Sequence, residues 1–572
     1  AGAGLGNGGV GCHEPEARSP ERRRQWPAAG SPSPLAGAAA ALPQGAGQCR
    51  CALCPGGQPA RAAPRAAATL SRPSRWGARW PGADALLLKR CERERPPLTG
   101  QQRQQLAAGL LQLGETQAAL RCLGTTAPTA ALQLSLGRNL LRGTANEQAQ
   151  AEALLLGLAQ RQPNRAEARE AAALLAEQPG DTGLTRLAQL PAALRASAPV
   201  QARLALEGRI PWQGVLKRWP QEPASWELHW QLARKALLQR QWQQAATVLS
   251  AINSAQLPAP LAARQLFWQG YAAEQRGQHQ EARRHWQAVL QAQPLGYYSW
   301  RALVRLVGPE VDQPHTKPEA PQPELAWQPL ASGNQALDAL WQTGQALEAW
   351  ESWRHLQGGR PPQGAPQLLL EGRLRTGIGD DWTGLGQLEQ AGLRLPQPGC
   401  YRQWQREQQQ HPRRFQAELG AAASATGIDL DLLWGVARQE SRFSAAVASP
   451  AGAIGLLQLM PETAAEVAGA ALDRRSLETP AVNARLGAQY LQTLLSRWHN
   501  NLFLSVASYN AGAGAVAGWL QTGGPDPARE PELWTEAIPY PETRLYVKKV
   551  LGNRWSYQQL SNTPQTICGA GR

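Results

Sequence analysis

Methionine is nearly absent from this 572-residue chain, which has one, and phenylalanine is scarce, with four, although there are 22 tryptophans. Runs of β-branched residues are also few, whereas alanine, leucine, glutamine and arginine dominate, and this composition favours helices over sheets. No run of 18 apolar residues occurs, so no transmembrane segment is predicted. The chain is long enough for several domains, and we predict an all-α protein.

The charge pattern gives little support to nucleic-acid binding. The net charge is +15, but residues 1–99 hold 14 Lys and Arg against 6 Asp and Glu, so over half of the excess lies there. Nucleic-acid recognition calls for a concentrated basic face and a recognition motif, and neither is found. The remaining mild excess suits another anionic polymer.

The cysteines leave disulfides open and predict no metal site. Three of them cluster near an upstream Cys-His pair: Cys49, Cys51 and Cys54 follow Cys12-His13. This spacing is not a standard zinc pattern, and the segment has no fold to hold a site. If the protein is exported, disulfides become possible, and the candidate pairs are Cys91 with Cys122 and Cys400 with Cys568.

One glutamate stands at the end of a predicted amphipathic helix. Apolar residues at helical spacing mark one face: Leu430, Leu433, Trp434 and Ala437. Asp429 or Asp431 is expected to cap the start. Glu440 follows Ala437 by three residues, at the edge of this face and in the last turn, where the helix dipole disfavours an anion. Burial and dipole both raise a carboxyl pKa, as a proton donor requires. The alternative is a solvated glutamate paired with Arg438 or Arg442.

Four segments carry a family resemblance, in order along about 110 residues. They are Glu440-Ser441, the glycine-punctuated stretch 449–461, the stretch 507–512 that reads Ala-Ser-Tyr-Asn-Ala-Gly, and the stretch 536–547. Together they resemble the catalytic domain of the soluble lytic transglycosylases, a lysozyme-like family that cleaves peptidoglycan. Leu457 and Ser508 depart from the residues usual there, but neither change removes a group that handles protons.

The resemblance implies a catalytic role for Glu440. It would protonate the glycosidic oxygen and then take a proton from the C6 hydroxyl of N-acetylmuramic acid, leaving a 1,6-anhydro ring. One proton carrier suffices, and no cofactor is implied. The substrate would be peptidoglycan glycan strands, and the location periplasmic or cell-wall associated, although no signal peptide is visible. The alternatives are a hydrolytic muramidase of lysozyme type and a noncatalytic wall-binding helical scaffold.

The resemblance also suggests six substrate-binding residues, which are Ser449, Gln458, Met460, Tyr509, Asn510 and Glu542. Each has a structural alternative. Tyr509 and Met460 could be core residues, Asn510 a helix stop, Gln458 a surface residue and Ser449 a turn residue. Glu542 could pair with Arg544.

The rest of the chain predicts a helical scaffold. Small residues, a tryptophan and a proline recur at offsets typical of a tetratricopeptide-like hairpin, at Gly270, Ala282, Trp286 and Pro294. Stacked hairpins form a superhelix, or solenoid, which would precede the lysozyme-like catalytic domain and offer a surface for protein partners. The predicted ranges are 1–99 as a low-complexity, disordered tail, 100–307 as the superhelix, 308–324 as a Pro-rich linker, 325–411 as a helical linker domain, 412–561 as the catalytic domain and 562–572 as a tail.

Overall fold

The computed structural model describes residues 83–92, 97–312, 327–358, 360–449, 451–562 and 564–569. Most of the predicted N-terminal tail, most of the Pro-rich linker and the end of the C-terminal tail lie outside these residues. The cluster of Cys12, Cys49, Cys51 and Cys54 also lies outside them.

The prediction of an all-α protein is confirmed. The described residues hold α-helices, two short 3₁₀ helices (Ser254–Gln256 and Pro309–Asp312) and two isolated β-bridges. The chain folds as two compact units, which divide between Leu232 and Ala233. No helix in the described ranges is long and apolar enough to cross a bilayer.

The helices up to the division are α1 (Ala83–Glu92), α2 (Gly100–Gln112), α3 (Thr116–Leu123), α4 (Ala130–Leu140), α5 (Ala145–Arg161), α6 (Ala166–Ala176), α7 (Gly180–Ala188), α8 (Ala192–Arg195), α9 (Ala198–Leu206), α10 (Trp212–Arg218) and α11 (Pro223–Leu238), in which the division falls. Those that precede the predicted catalytic domain are α12 (Trp242–Leu249), α13 (Ala259–Gln275), α14 (His279–Ala292), α15 (Tyr297–Val307), α16 (Gln335–Gln342), α17 (Ala346–Gln357), α18 (Ala365–Gly377), α19 (Asp381–Gly392) and α20 (Cys400–Gln409). The remainder are α21 (Gln416–Thr426), α22 (Leu430–Glu440), α23 (Pro461–Ala468), α24 (Arg474–Glu478), α25 (Pro480–Arg497), α26 (Leu502–Ala511), α27 (Ala513–Gln521), α28 (Pro531–Ala537), α29 (Pro541–Gln559) and α30 (Pro564–Cys568).

Residues 83–92 fall within the predicted tail of residues 1–99, and they form helix α1. Helix α1 already packs into the core of the first unit, because Leu87 is fully buried. A disulfide joins Cys91 of this helix to Cys122 of α3. Residues 83–92 therefore do not belong to the predicted tail, since a leucine cluster and a covalent link hold them against the helices that follow.

Consecutive helices pair as hairpins, as the sequence predicts. In the hairpin of α13 and α14, Gly270 lies against Trp286, and a Cβ on the glycine would stand 2.5 Å from the indole Nε1. Ala282 is fully buried, and the Trp286 indole donates to the carbonyl of Phe267 over 3.2 Å. The small residues thus let the two helices approach, which is the physical basis of the repeat offsets.

One hydrophobic core holds the C-terminal helices of the second unit together. Helix α22 packs along α29, and Gly435 permits the approach, since a Cβ there would stand 2.8 Å from the carbonyl oxygen of Val550. Trp434 and Trp555 are buried in this core. The pairing fixes the end of α22 beside the first half of α29.

A second disulfide joins Cys400, the first residue of α20, to Cys568, the last residue of α30. Both pairs are those that the sequence offered as candidates. The Cα atoms are 5.2 Å apart in the Cys91–Cys122 pair and 5.7 Å apart in the Cys400–Cys568 pair. The second bond closes a loop that contains the whole C-terminal helical domain.

Candidate active site

Glu440 is the last residue of α22, where the apolar pattern placed it. Asp429 caps the start of this helix by accepting from the backbone N–H of Asp431 over 3.0 Å, so the expected cap is present. Glu440 is only 2% exposed, which excludes the solvated alternative. A buried carboxyl at a helix C-terminus is in an environment that favours the protonated form; its raised pKa stays a prediction.

The two arginines that flank Glu440 both pair with a different acid. The Arg438 guanidinium lies 3.2 Å from Glu389, and that of Arg442 lies 3.3 Å from it. Lys549 of α29 completes the cluster at 3.2 Å. Burial raises the pKa of Glu389, but the three cations outweigh it and hold that pKa well below its ordinary value.

Tyr546 of α29 makes a direct contact with Glu440. Its phenol donates to Oε1 over 2.7 Å, and the tyrosine is 3% exposed. Sequence reasoning placed Tyr546 inside a motif but did not select it as a site residue. Its position one helical turn after Glu542, on the same side of α29, was the available signal.

The described residues of the stretch 449–461 form a loop that leads into α23 and lies against α24 and α25. Ser449 accepts from the backbone N–H of Ala453 over 3.0 Å. It therefore stabilises a turn, which was the structural alternative to its predicted contact with substrate. Gly455 has a φ of +87°, and a Cβ there would stand 2.3 Å from the carbonyl oxygen of Leu477. Only glycine fits this close approach of the loop to the next helix.

Asn483 of α25 braces this loop and was missed by sequence reasoning. It is fully buried, accepts from the backbone N–H of Leu457 over 2.7 Å, and donates to the carbonyls of Ile454 and Leu477. A single asparagine inside a helix gives no sequence signal, because its partners lie in a separate loop.

Gln458 is buried, not a surface residue, and its amide faces the loop backbone. Nε2 donates to the carbonyls of Val447 over 3.0 Å and Gly455 over 2.8 Å. Its φ of +49° is unusual for a residue with a side chain. Met460 is half-buried and precedes α23. The geometry gives Gln458 a bracing contact, and its contact with substrate stays a prediction.

Tyr509 and Asn510 of α26 tie this helix to its neighbours. The Tyr509 phenol donates to the carbonyl of Leu457 over 2.9 Å, and its ring packs on Tyr490 at 5.5 Å between centroids. Asn510 accepts from the Thr543 hydroxyl over 2.6 Å. Tyr509 therefore joins α26 to the 449–461 loop, and Asn510 joins it to the first turn of α29.

Glu542 is exposed in the first turn of α29, one turn before Tyr546. It has no ion-pair partner among the described residues, so the alternative prediction that Glu542 pairs with Arg544 is wrong. The guanidinium of Arg544 instead reaches the carbonyl of Glu536. The structure thus brings Glu440 and Tyr546 into contact and places Glu542 on the same helix as Tyr546.

A second pair of acids lies at the opposite end of α22. Asp429 pairs with Arg554 at 2.7 Å. Burial, and next the neighbouring Asp429, raise the pKa of Asp431 to about 7, against the opposing pull of Arg413. Asp431 lies nine positions before Glu440, which is about 13 Å along the helix axis. Within the described ranges, no group of three or more His, Cys, Asp or Glu is placed to hold a metal ion.

Comparison with known proteins identifies the domain that contains this site. Residues 419–530 match the sequence model of the family described as "Transglycosylase SLT domain". The chain is 32% identical over 173 residues to "Soluble lytic murein transglycosylase" of Escherichia coli (strain K12), covering 29% of this chain and 26% of that protein. It is 34% identical over 155 residues to "Putative soluble lytic murein transglycosylase" of Haemophilus influenzae, covering 26% of each.

The aligned stretch spans about a quarter of the length of these curated relatives. Among solved structures, the 70 kDa soluble lytic transglycosylase of Escherichia coli aligns with 88% of this chain and 90% of its own, at 19% identity and a TM-score of 0.44. The sequence match includes Glu440, the 449–461 loop, Tyr509 and Asn510. The domain that holds Glu440 belongs to the transglycosylase SLT domain family.

Proposed function

We propose that this chain is a peptidoglycan lytic transglycosylase that cleaves the β-1,4 bond between N-acetylmuramic acid and N-acetylglucosamine. The observation that carries the proposal is the placement of Glu440. It is a nearly fully buried carboxyl, at a helix end, in a 2.7 Å hydrogen bond with Tyr546. The relatives named as soluble lytic murein transglycosylases support the same substrate class.

Glu440 would act twice, first as a proton donor and then as a proton acceptor. Its carboxyl gives a proton to the glycosidic oxygen, and the bond from C1 to that oxygen breaks. The resulting carboxylate then takes the proton of the C6 hydroxyl, whose oxygen bonds to C1 and closes the 1,6-anhydro ring. No water is consumed, and Glu440 ends protonated as it began. The Tyr546 phenol, which donates to Oε1, stabilises the carboxylate between the two transfers.

The surrounding acids favour this reaction over hydrolysis. Hydrolytic glycosidases of the common type need a second carboxyl about 5–9.5 Å from the first. Asp431 is about 13 Å away along the helix, and Glu389 is held as an anion by Lys549 and two arginines. Glu542 remains as the candidate for a second acid, and it is exposed. Product analysis therefore decides between transglycosylase and hydrolytic muramidase.

The test is mass spectrometry of purified sacculi after incubation with the protein. We expect muropeptides with 1,6-anhydromuramic ends from the wild type, and a loss of about 10²–10⁴-fold in their release by Glu440→Gln, the usual contribution of a general acid. Glutamine keeps the shape and can still accept from Tyr546, so unchanged thermal unfolding serves as the control. Reducing muramic ends would indicate the muramidase, and digestion that survives in Glu440→Gln would reject the role of Glu440.

We further propose that the protein acts in the periplasm or at the cell wall. Two disulfides, Cys91–Cys122 and Cys400–Cys568, suit an oxidising compartment. Protein partners along the helical superhelix stay a prediction. Alkylation of free thiols in cell extracts, before and after reduction, tests the location. The four cysteines of the two disulfides should react only after reduction.

A further inference from the structure

Helix α22 ends in an unusual backbone turn. Arg442 and Phe443, two and three residues after Glu440, have φ values of +45° and +64°. Residues with side chains rarely occupy this left-handed region, because the backbone is strained there unless its surroundings hold it in place. Two such residues follow each other shortly after the proposed acid, so contacts elsewhere must hold this turn in place.

Contacts on both side chains supply that anchor. Phe443 is 5% exposed and packs in the core. The Arg442 guanidinium donates to the carbonyl of Trp382, lies over its indole at 5.8 Å and pairs with Glu389 at 3.3 Å. Both Trp382 and Glu389 belong to α19, in the predicted linker domain and outside the segment matched by the family.

Glu389 also holds the last turn of α22 itself. Its other oxygen pairs with Arg438, whose Nε donates to the carbonyl of Gln410 over 2.6 Å and whose guanidinium reaches Asn553 over 3.1 Å. One carboxylate thus fastens the residue two before Glu440 and the residue two after it. Lys549, three residues after Tyr546 on α29, pairs with the same carboxylate.

We infer that Glu389 is a positioning residue for Glu440: it fastens both flanking arginines and so fixes the turn in which α22 ends. The inference rests on the proposed function. Glu389 acts in two ways. It directs the Glu440 carboxyl toward Tyr546 by holding the helix end, and its negative charge balances three cations that would otherwise favour the Glu440 carboxylate.

Other charged groups face the cluster from α20 and the segment after it. Glu407 is buried, accepts from Gln403 over 2.8 Å, and burial raises its pKa. His411 is buried, and burial, with Arg438 next, lowers its pKa to about 3, so it stays neutral in the working range. Neither balances the three cations as Glu389 does, because among the described residues Glu407 forms no ion pair with any of them and His411 is neutral.

The experiment compares the pH dependence of muropeptide release by Glu389→Gln and Glu389→Asp with the wild type. A general acid loses activity as pH rises through its pKa. This fall in rate at high pH is the alkaline limb of the pH profile. In Glu389→Gln the unbalanced cations should move this alkaline limb down by about one pH unit and reduce turnover roughly tenfold, with KM for soluble glycan strands unchanged. Glu389→Asp keeps the charge and should keep the wild-type limb.

Glu532→Gln is the matched control. Glu532 is likewise a buried acid held by two arginines, Arg301 at 2.9 Å and Arg305 at 2.7 Å, but it shares no partner with Glu389. We expect it to reduce stability and leave the limb in place. A limb in Glu389→Gln at the wild-type position, with or without reduced stability, would overturn the inference.

A second variant decides the matter if Glu389→Gln does not fold. Lys549→Gln removes one of the three cations from a partly exposed position, so the limb should move up, and an unmoved limb would overturn the inference. Failure of the proposed function looks different: the wild type would release no anhydro-muropeptides, or Glu440→Gln would stay active. Failure of this inference leaves both of those results intact.

Discussion

The hydrogen bond between Tyr546 and Glu440 gives the sharpest prediction. Tyr546→Phe removes one hydroxyl from a contact in which both residues are at most 3% exposed. The bond is 2.7 Å long, and its acceptor is an ionisable group. Hydrogen bonds to charged groups contribute about 1.5–3 kcal/mol, and each 1.4 kcal/mol corresponds to a factor of ten in rate. Turnover should therefore fall about 10–100-fold.

The same substitution should move the pH profile in a defined direction. The phenol donates to the Glu440 carboxylate and stabilises it, so removing the phenol raises the pKa of Glu440. The alkaline limb of muropeptide release then moves up by about one pH unit, opposite to the shift expected for Glu389→Gln. The assay is the initial rate of release from purified sacculi across the pH range in which each variant stays folded.

Tyr557→Phe is the control on the same helix. The Tyr557 hydroxyl is also in a buried region, but it donates to the carbonyl of Pro412 over 3.0 Å. Its loss should reduce stability without moving the limb. If Tyr546→Phe keeps the wild-type rate and limb, or if Tyr557→Phe moves the limb equally, then the contact with Glu440 does not tune the acid and the reasoning is refuted.

Three further predictions concern stability. Gly455→Ala should lower the free energy of unfolding by about 2–4 kcal/mol, seen in denaturant titration, because the added Cβ meets the Leu477 carbonyl at 2.3 Å in a left-handed backbone. Asp431→Asn should reduce the loss of thermal stability between about pH 4 and pH 7, because a folded pKa raised from 3.8 to about 7 favours the neutral form and makes the fold less stable as pH rises through this window. Removing the Cys400–Cys568 disulfide, which spans 168 residues, by double serine substitution should lower the free energy of unfolding by about 2–4 kcal/mol; equal denaturant midpoints would contradict this.

Local sequence patterns were sufficient for the helix that ends at Glu440 and for one hairpin of the scaffold. The apolar spacing of α22 predicted a helix that ends at Glu440, and Asp429 caps it as expected. The offsets from Gly270 to Trp286 predicted the hairpin of α13 and α14. These features depend on neighbours within one or two helical turns, or on a repeat whose geometry is encoded by its small residues.

The partners of the site residues could not be predicted from local sequence patterns. Tyr546 stands 106 positions after Glu440, and Asn483 stands 26 positions after the Leu457 backbone that it braces. Ser449 and Gln458 were selected for substrate, yet both bond to the loop backbone. A polar residue in a motif satisfies its own loop first, since a buried amide without a partner is unfavourable, and sequence does not show which partner it takes.

The sequence by itself determined that this protein is helical, where its acid lies and which family motifs surround that acid, because helix periodicity and motif spacing are properties of a continuous stretch of chain. Only the tertiary structure decided what the acid touches. Packing α22 against α29 places Tyr546 on Glu440, and packing against α19 gives both flanking arginines to Glu389. Those contacts join residues that are far apart in the chain, as from Arg442 to Glu389 at 53 positions and from Glu440 to Tyr546 at 106. Their energies depend on burial, which exists only once the core has formed.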